Sequence, residues 1–73
     1  MFSVIELQTN NGVTSHIYKS AETAEQAMSM YHTVLASAAI SKVEQHACLV
    51  VDERGQYLAR ECYEHLNVGD NND

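Results

Sequence analysis

The chain is 73 residues long and 45% apolar, and its ten acids against four bases give a formal charge of −6. That is one small globular domain, too short to bury a large core and short on stability margin, so a disulfide set, a metal or a second subunit is the usual supplement. The charge disfavours direct nucleic-acid binding and anionic membrane surfaces, both of which recruit Lys and Arg. No apolar run approaches the roughly 20 residues that span a bilayer.

The opening MFSVIELQ has no basic start and no long apolar core, so no export signal is expected. Cys48 and Cys62 have 13 residues between them, without a CxxC or a second pair. Two free thiols in a cytoplasmic protein are expected from this usage.

The first predicted elements are two strands, FSVIELQ and VTSHIYK, around Thr9-Asn10-Asn11-Gly12. Glycine in the left-handed position after a type I turn makes a bulged hairpin, whereas Asn11-Gly12 alone can form a two-residue type I′ turn. The choice moves the register by one residue and decides which side chains share a face. A helix follows over residues 21–39, with Ser20 as its cap and Glu22 and Glu25 near its positive end. Ala24, Ala27, Met28, Tyr31, Val34, Leu35 and Ala38 recur at the helical period and form its apolar stripe. A second hairpin, VEQHACLVV and QYLARECYEH, turns at Asp52-Glu53-Arg54-Gly55. Residues 1–66 therefore read as one α+β domain of order β-β-α-β-β, a mainly antiparallel four-stranded sheet with one helix on one face. The polar segment 67–73 reads as a disordered tail.

This architecture contains a mismatch of widths. Four strands make a sheet about 19 Å wide, and one helix is about 10 Å across. With bulged turns, Ile5 pairs with Ile17 and Leu7 with Ser15, and Phe2, Val4, Glu6, His16 and Tyr18 share the other face. In the second hairpin, Val50 and Leu58 fall on the side of His46, Cys48 and Cys62. Both faces then hold apolar groups, and Ala47-Cys48-Leu49-Val50-Val51 reads as a strand covered on both sides. A wet patch of Phe2, Val4, Tyr18, Val50 and Leu58 is unusual for a monomer. A homodimer with these five at its interface is the expectation, alongside a protein partner of unknown identity.

The groups able to carry chemistry are few. His46, Cys48 and Cys62 are expected to neighbour one another, but a structural zinc site needs a fourth ligand, so packing is the favoured role. A Cys–His nucleophile would need a thiolate and an oxyanion hole, and no glycine-rich or helix-start feature flanks either cysteine. Glu6 opposite His16 reads as a cross-strand contact. Tyr18, Tyr31, Tyr57 and Tyr63 read as packing and rim, and Met28 and Met30 as filler. No phosphate loop, dinucleotide fingerprint or nucleophile elbow occurs. No catalytic residue, cofactor or metal is therefore expected, and the protein reads as a non-enzymatic interaction or assembly module. The alternative is an acidic mimic of nucleic acid that blocks a host DNA-binding or defence protein, which needs Glu6, Glu44, Glu53, Glu61 and Glu64 on one surface.

The run AEQAMSMYHTVLASAA followed by HACLVVDERGQYLARECYEH resembles a group of small uncharacterised proteins of Firmicutes, found on conjugative elements and prophages. The likeness spans Phe2 to His65. It rests on a Tyr-containing Ala-rich helix, a strand ending in Asp-Glu-x-Gly and a closing Arg-Glu-x-Tyr-x-His. It implies a bacterial, intracellular, mobile-element setting and transfers no functional residue.

Overall fold

The computed structural model describes residues 1–65, so the expected tail and the last residue of the expected domain lie outside it. The elements run β1 (Phe2–Asn10), β2 (Val13–Ala21), α1 (Ala24–Ala39), β3 (Gln45–Val51) and β4 (Tyr57–Glu64). They form the expected α+β architecture, one four-stranded sheet of order β2-β1-β3-β4 with every neighbouring pair antiparallel. The hairpins meet through their first strands. β1 and β3 carry apolar residues on both faces and take the centre, and β2 and β4 carry Lys19, His16, Arg60 and Glu64 and take the edges, where charge hinders further pairing.

The first turn has two residues. Asn10 pairs with Val13, and Asn11 (φ 54°) and Gly12 (φ 80°) both adopt positive φ, as a type I′ turn requires. Asparagine tolerates this region better than most residues. Ile5 therefore pairs with Tyr18, one position away from the bulged-turn register, and every side chain of β2 changes face.

The second turn is the expected type I plus glycine. Gly55 (φ 82°) donates its N–H to Asp52 O at 3.0 Å, and Asp52 Oδ1 accepts from the N–H groups of Arg54 (2.8 Å) and Gln56 (3.0 Å). These contacts, that from Gln56 foremost, hold the Asp52 carboxyl below the ordinary carboxylate range. Beyond the turn the ladder slips. Val51 pairs with Tyr57 but Val50 pairs with Ala59, leaving Leu58 as a bulge residue. The rest of β4 is thereby moved one residue, and His46 faces Tyr63 instead of Cys62.

Helix α1 starts at Ala24, later than expected, because β2 continues to Ala21 opposite Phe2. Thr23 replaces Ser20 as the cap: its Oγ1 accepts from Gln26 N–H at 3.2 Å, while Gln26 Oε1 accepts from Glu22 N–H at 3.1 Å. This is a close variant of the capping box. At the other end no glycine closes the helix. His65 reaches back from the end of β4, its Nε2 lying 2.7 Å from the carbonyl oxygen of Ala38, where an imidazole N–H adds to the Ser41 N–H that the same carbonyl accepts at 3.3 Å.

The core lies between α1 and the β1–β3 pair. Val4, Ala21, Ala27, Tyr31, Cys48 and Val50 are buried, and Phe2, Met28, Val34, Leu35 and Ala59 pack around them. The helical stripe read from the sequence supplies most of the helix's half of this core, joined by Met30, while Ala24 at its start is exposed. Ala27 and Ala38 have no exposed surface, and their small side chains let the helix lie close on the sheet.

The patch expected at an interface is divided by this packing. Val4 and Val50 are core residues under α1, and Phe2 packs against them. Tyr18 lies on the opposite face and is 60% exposed, and Leu58 sits in the bulge at 42%. Within β1 and β3 the expected alternation is observed. The side that the helix takes, and the sides of β2 and β4, follow from the type I′ turn and the bulge.

Candidate functional site

Glu6, His46 and Cys48 share the helix-covered face of the central strands. Cys48 stands opposite Glu6, and His46 stands opposite Gln8, one diagonal step away. The imidazole Nε2 of His46 lies 2.5 Å from Glu6 Oε2, which also accepts from Gln8 Nε2 at 3.0 Å. His46 is only 4% exposed, and its buried Nδ1 has no hydrogen-bond partner among the described residues. Burial pushes the Glu6 carboxyl upward, but the hydrogen bonds from His46 and Gln8 and the charges of His46 and Lys19 outweigh it, and the group lies below its ordinary value. Burial, reinforced by the Glu6 charge, pushes the Cys48 thiol up to about 11. That sulfur stays protonated at neutral pH, and the reactive species is the thiolate.

The expected neighbours separate. Cys62 lies opposite Ala47 on the uncovered face, away from His46 and Cys48, and both cysteines are free thiols. Glu6 faces Ile17 and not His16. Among the described residues no group of three His, Cys, Asp or Glu side chains is placed to hold a metal. A cleft of about 170 Å³ between α1 and β2 is lined by Glu6, Lys19, Ser29 and Thr33 with apolar flanks. The Glu6–His46 contact was missed because it requires β1 beside β3. Its only trace in the sequence is two polar side chains, Glu6 in FSVIELQ and His46 beside ACLVV, among apolar residues.

The uncovered face is ordered in rows across the sheet. One row runs Tyr18, Ile5, Leu49, Arg60, and the next runs His16, Leu7, Ala47, Cys62. Val51 and Tyr57 extend the apolar area at one end, and Thr14, Thr9, Gln45 and Glu64 close the other end with polar groups. Ile5, Leu7, Ala47, Leu49 and Val51 are partly exposed, and among the described residues no element lies above them. The rim is aromatic and polar: the Tyr18 hydroxyl lies 2.9 Å from Ser3 Oγ, and the Arg60 guanidinium stands 4.8 Å from the centre of the Tyr57 ring. Beside the small Ala47 side chain a hollow of about 410 Å³ opens among Leu49, Tyr57, Arg60 and Cys62.

These features define the class: an open-faced, two-layer α+β domain with a helix on one side of the sheet and an apolar strip on the other. No protein-family model, curated protein or solved structure matches the chain. Among the described residues no helix is long and apolar enough to cross a membrane.

Proposed function

We propose that this protein is a self-associating interaction module, a homodimer whose contact surface is the uncovered face of the sheet. The observation that carries the reading is the strip Ile5, Leu7, Leu49 and Val51 on the central strands, bare on the side away from α1. Strands of this length at about 3.3 Å per residue and about 4.8 Å spacing present about 500 Å². Two such faces together remove about 1,000 Å², the lower bound of a specific interface. The aromatic rim and apolar centre match the anatomy of such surfaces. A second protein partner, in a bacterial cytoplasm and on a mobile element, fits the resemblance of the helix and second hairpin.

The reading gives no residue a catalytic role. Glu6 and the Nε2 of His46 bond each other beneath the helix, and the neighbouring Cys48 thiol is protonated. The nucleic-acid mimic is less well supported because its acids are dispersed. Glu6 is engaged with His46, Glu44 accepts from the Asn11 N–H at 3.0 Å, Glu53 lies in the turn after β3, and Glu61 and Glu64 occupy opposite faces of β4. Sedimentation over a dilution series tests the proposal. The expected species has twice the 8.1 kDa chain mass and dissociates on dilution. A single 8.1 kDa species at the highest attainable concentration would falsify it.

A further inference from the structure

Resting on the dimer just proposed, we infer that the two copies pack about a twofold axis parallel to the strands, with β2 of each copy over β4 of the other. Sheets that pack face to face keep their strands within about 30° of alignment. A twofold axis between aligned sheets then runs either along the strands or across them, and two features of the face choose between these.

The first is shape. The hollow beside Ala47 lies on the β3–β4 half, and the projecting Ile5 and Leu7 lie on the β1–β2 half. An axis along the strands sets the second copy's β1–β2 half over the hollow, with Leu7 above Ala47 and Ile5 above Leu49. An axis across the strands lays β3 over β3, so that each hollow faces the other and stays empty. Close-packed interfaces do not leave such voids.

The second is charge. Along the strands, Arg60 meets the second copy's Tyr18, a 60%-exposed aromatic ring in the same row at the far edge of the sheet. A guanidinium on a tyrosine face is favourable. Across the strands, edge lies on like edge, and the two Arg60 side chains approach each other in a desolvated layer. Like-charge contact of that kind is a strong penalty.

Positions 18 and 60 stand three strand spacings apart within one chain, about 14 Å. At that distance their substitutions act additively inside one molecule, so coupling between them reports contact between copies. The experiment measures the dimer dissociation constant of the full chain by sedimentation equilibrium for wild type, Arg60→Glu, Tyr18→Arg and the double variant. Circular dichroism checks that each stays folded, which is expected because both side chains are on exposed edges. Arg60→Glu is expected to weaken the dimer about tenfold, the scale of a lost desolvated cation–aromatic contact. Tyr18→Arg added to Arg60→Glu is expected to restore the dimer to near wild-type affinity by placing opposite charges across the interface. No effect of Arg60→Glu, additive effects, or a further loss in the double variant would overturn the arrangement while a dimeric wild type keeps the proposed function. A monomeric wild type would overturn both.

Discussion

The two faces of the central strands differ in a way that composition does not anticipate. The face beneath α1 carries Phe2, Val4, Glu6, Gln8, His46, Cys48 and Val50, with the polar Glu6, Gln8 and His46 together at one end. The bare face carries Ile5, Leu7, Ala47, Leu49 and Val51 in one unbroken apolar strip, with Ser3, Thr9 and Gln45 at its ends. The longer unbroken aliphatic strip is on the side that no described element covers. Close approach of the helix explains the covered side: Ala27 and Ala38 sit against the sheet with no exposed surface, leaving room for Val and Cys, and the Glu6–His46 pair closes the polar end of the layer. The bulky aliphatic residues are left for a surface that another molecule can fill. Burial inside a chain selects fit, and exposure of larger apolar groups marks where a second body belongs.

The most forceful way to break this contrast is to put the same charge on neighbouring residues of β3. Val50→Asp sets an unpaired carboxylate in the core, and its expected cost is about 4 kcal/mol or more, enough to unfold the chain. Leu49→Asp lies on the bare face, where the free chain can hydrate it. The expected outcome is a folded monomer, with the helical signal retained and the dimer lost. Urea titration followed by circular dichroism, together with sedimentation, separates the two. Equal unfolding by both variants would remove the distinction between the faces.

A smaller effect sharpens the covered side. His46→Ala leaves Glu6 below the helix with Gln8 as its remaining hydrogen-bond donor, and the expected cost is about 2–3 kcal/mol by urea titration. Adding Glu6→Leu removes the stranded charge and should recover most of that loss. The pH dependence has a defined sign. Because the folded-state pKa of Glu6 is lowered, its contribution is complete above the ordinary carboxylate range and is lost as pH falls through the lowered value. Glu6→Gln should therefore flatten the acid limb of stability against pH, and an unchanged acid limb would show that the pair carries no linkage.

The smallest expected effects concern the two hairpins. Gly12 (φ 80°) and Gly55 (φ 82°) adopt the same left-handed backbone, and a Cβ at either would meet no atom within 4 Å. Alanine at each should then cost a similar amount, about 1–2 kcal/mol, from backbone conformation alone. Thermal melts of Gly12→Ala and Gly55→Ala check this, and a large inequality would mean that one turn also holds the register.

Local chemistry settled much of this protein. The order β-β-α-β-β, the positions of both turns, the apolar stripe of α1 and the alternation within β1 and β3 are all written in neighbouring residues, because glycine placement and side-chain periodicity act over a few positions. Three matters were decided only by the assembled sheet. The type I′ turn at Asn11-Gly12 and the bulge at Leu58 each move a strand by one residue, which transfers Tyr18 and Cys62 to the bare face. The pairing of β1 with β3 brings Glu6 to His46 across 40 positions of sequence. The side on which the helix settles then follows from which face its small residues can approach. Periodicity fixes that residues alternate, but only long-range packing determines which set turns inward, because inverting a face changes no local interaction and changes every tertiary one.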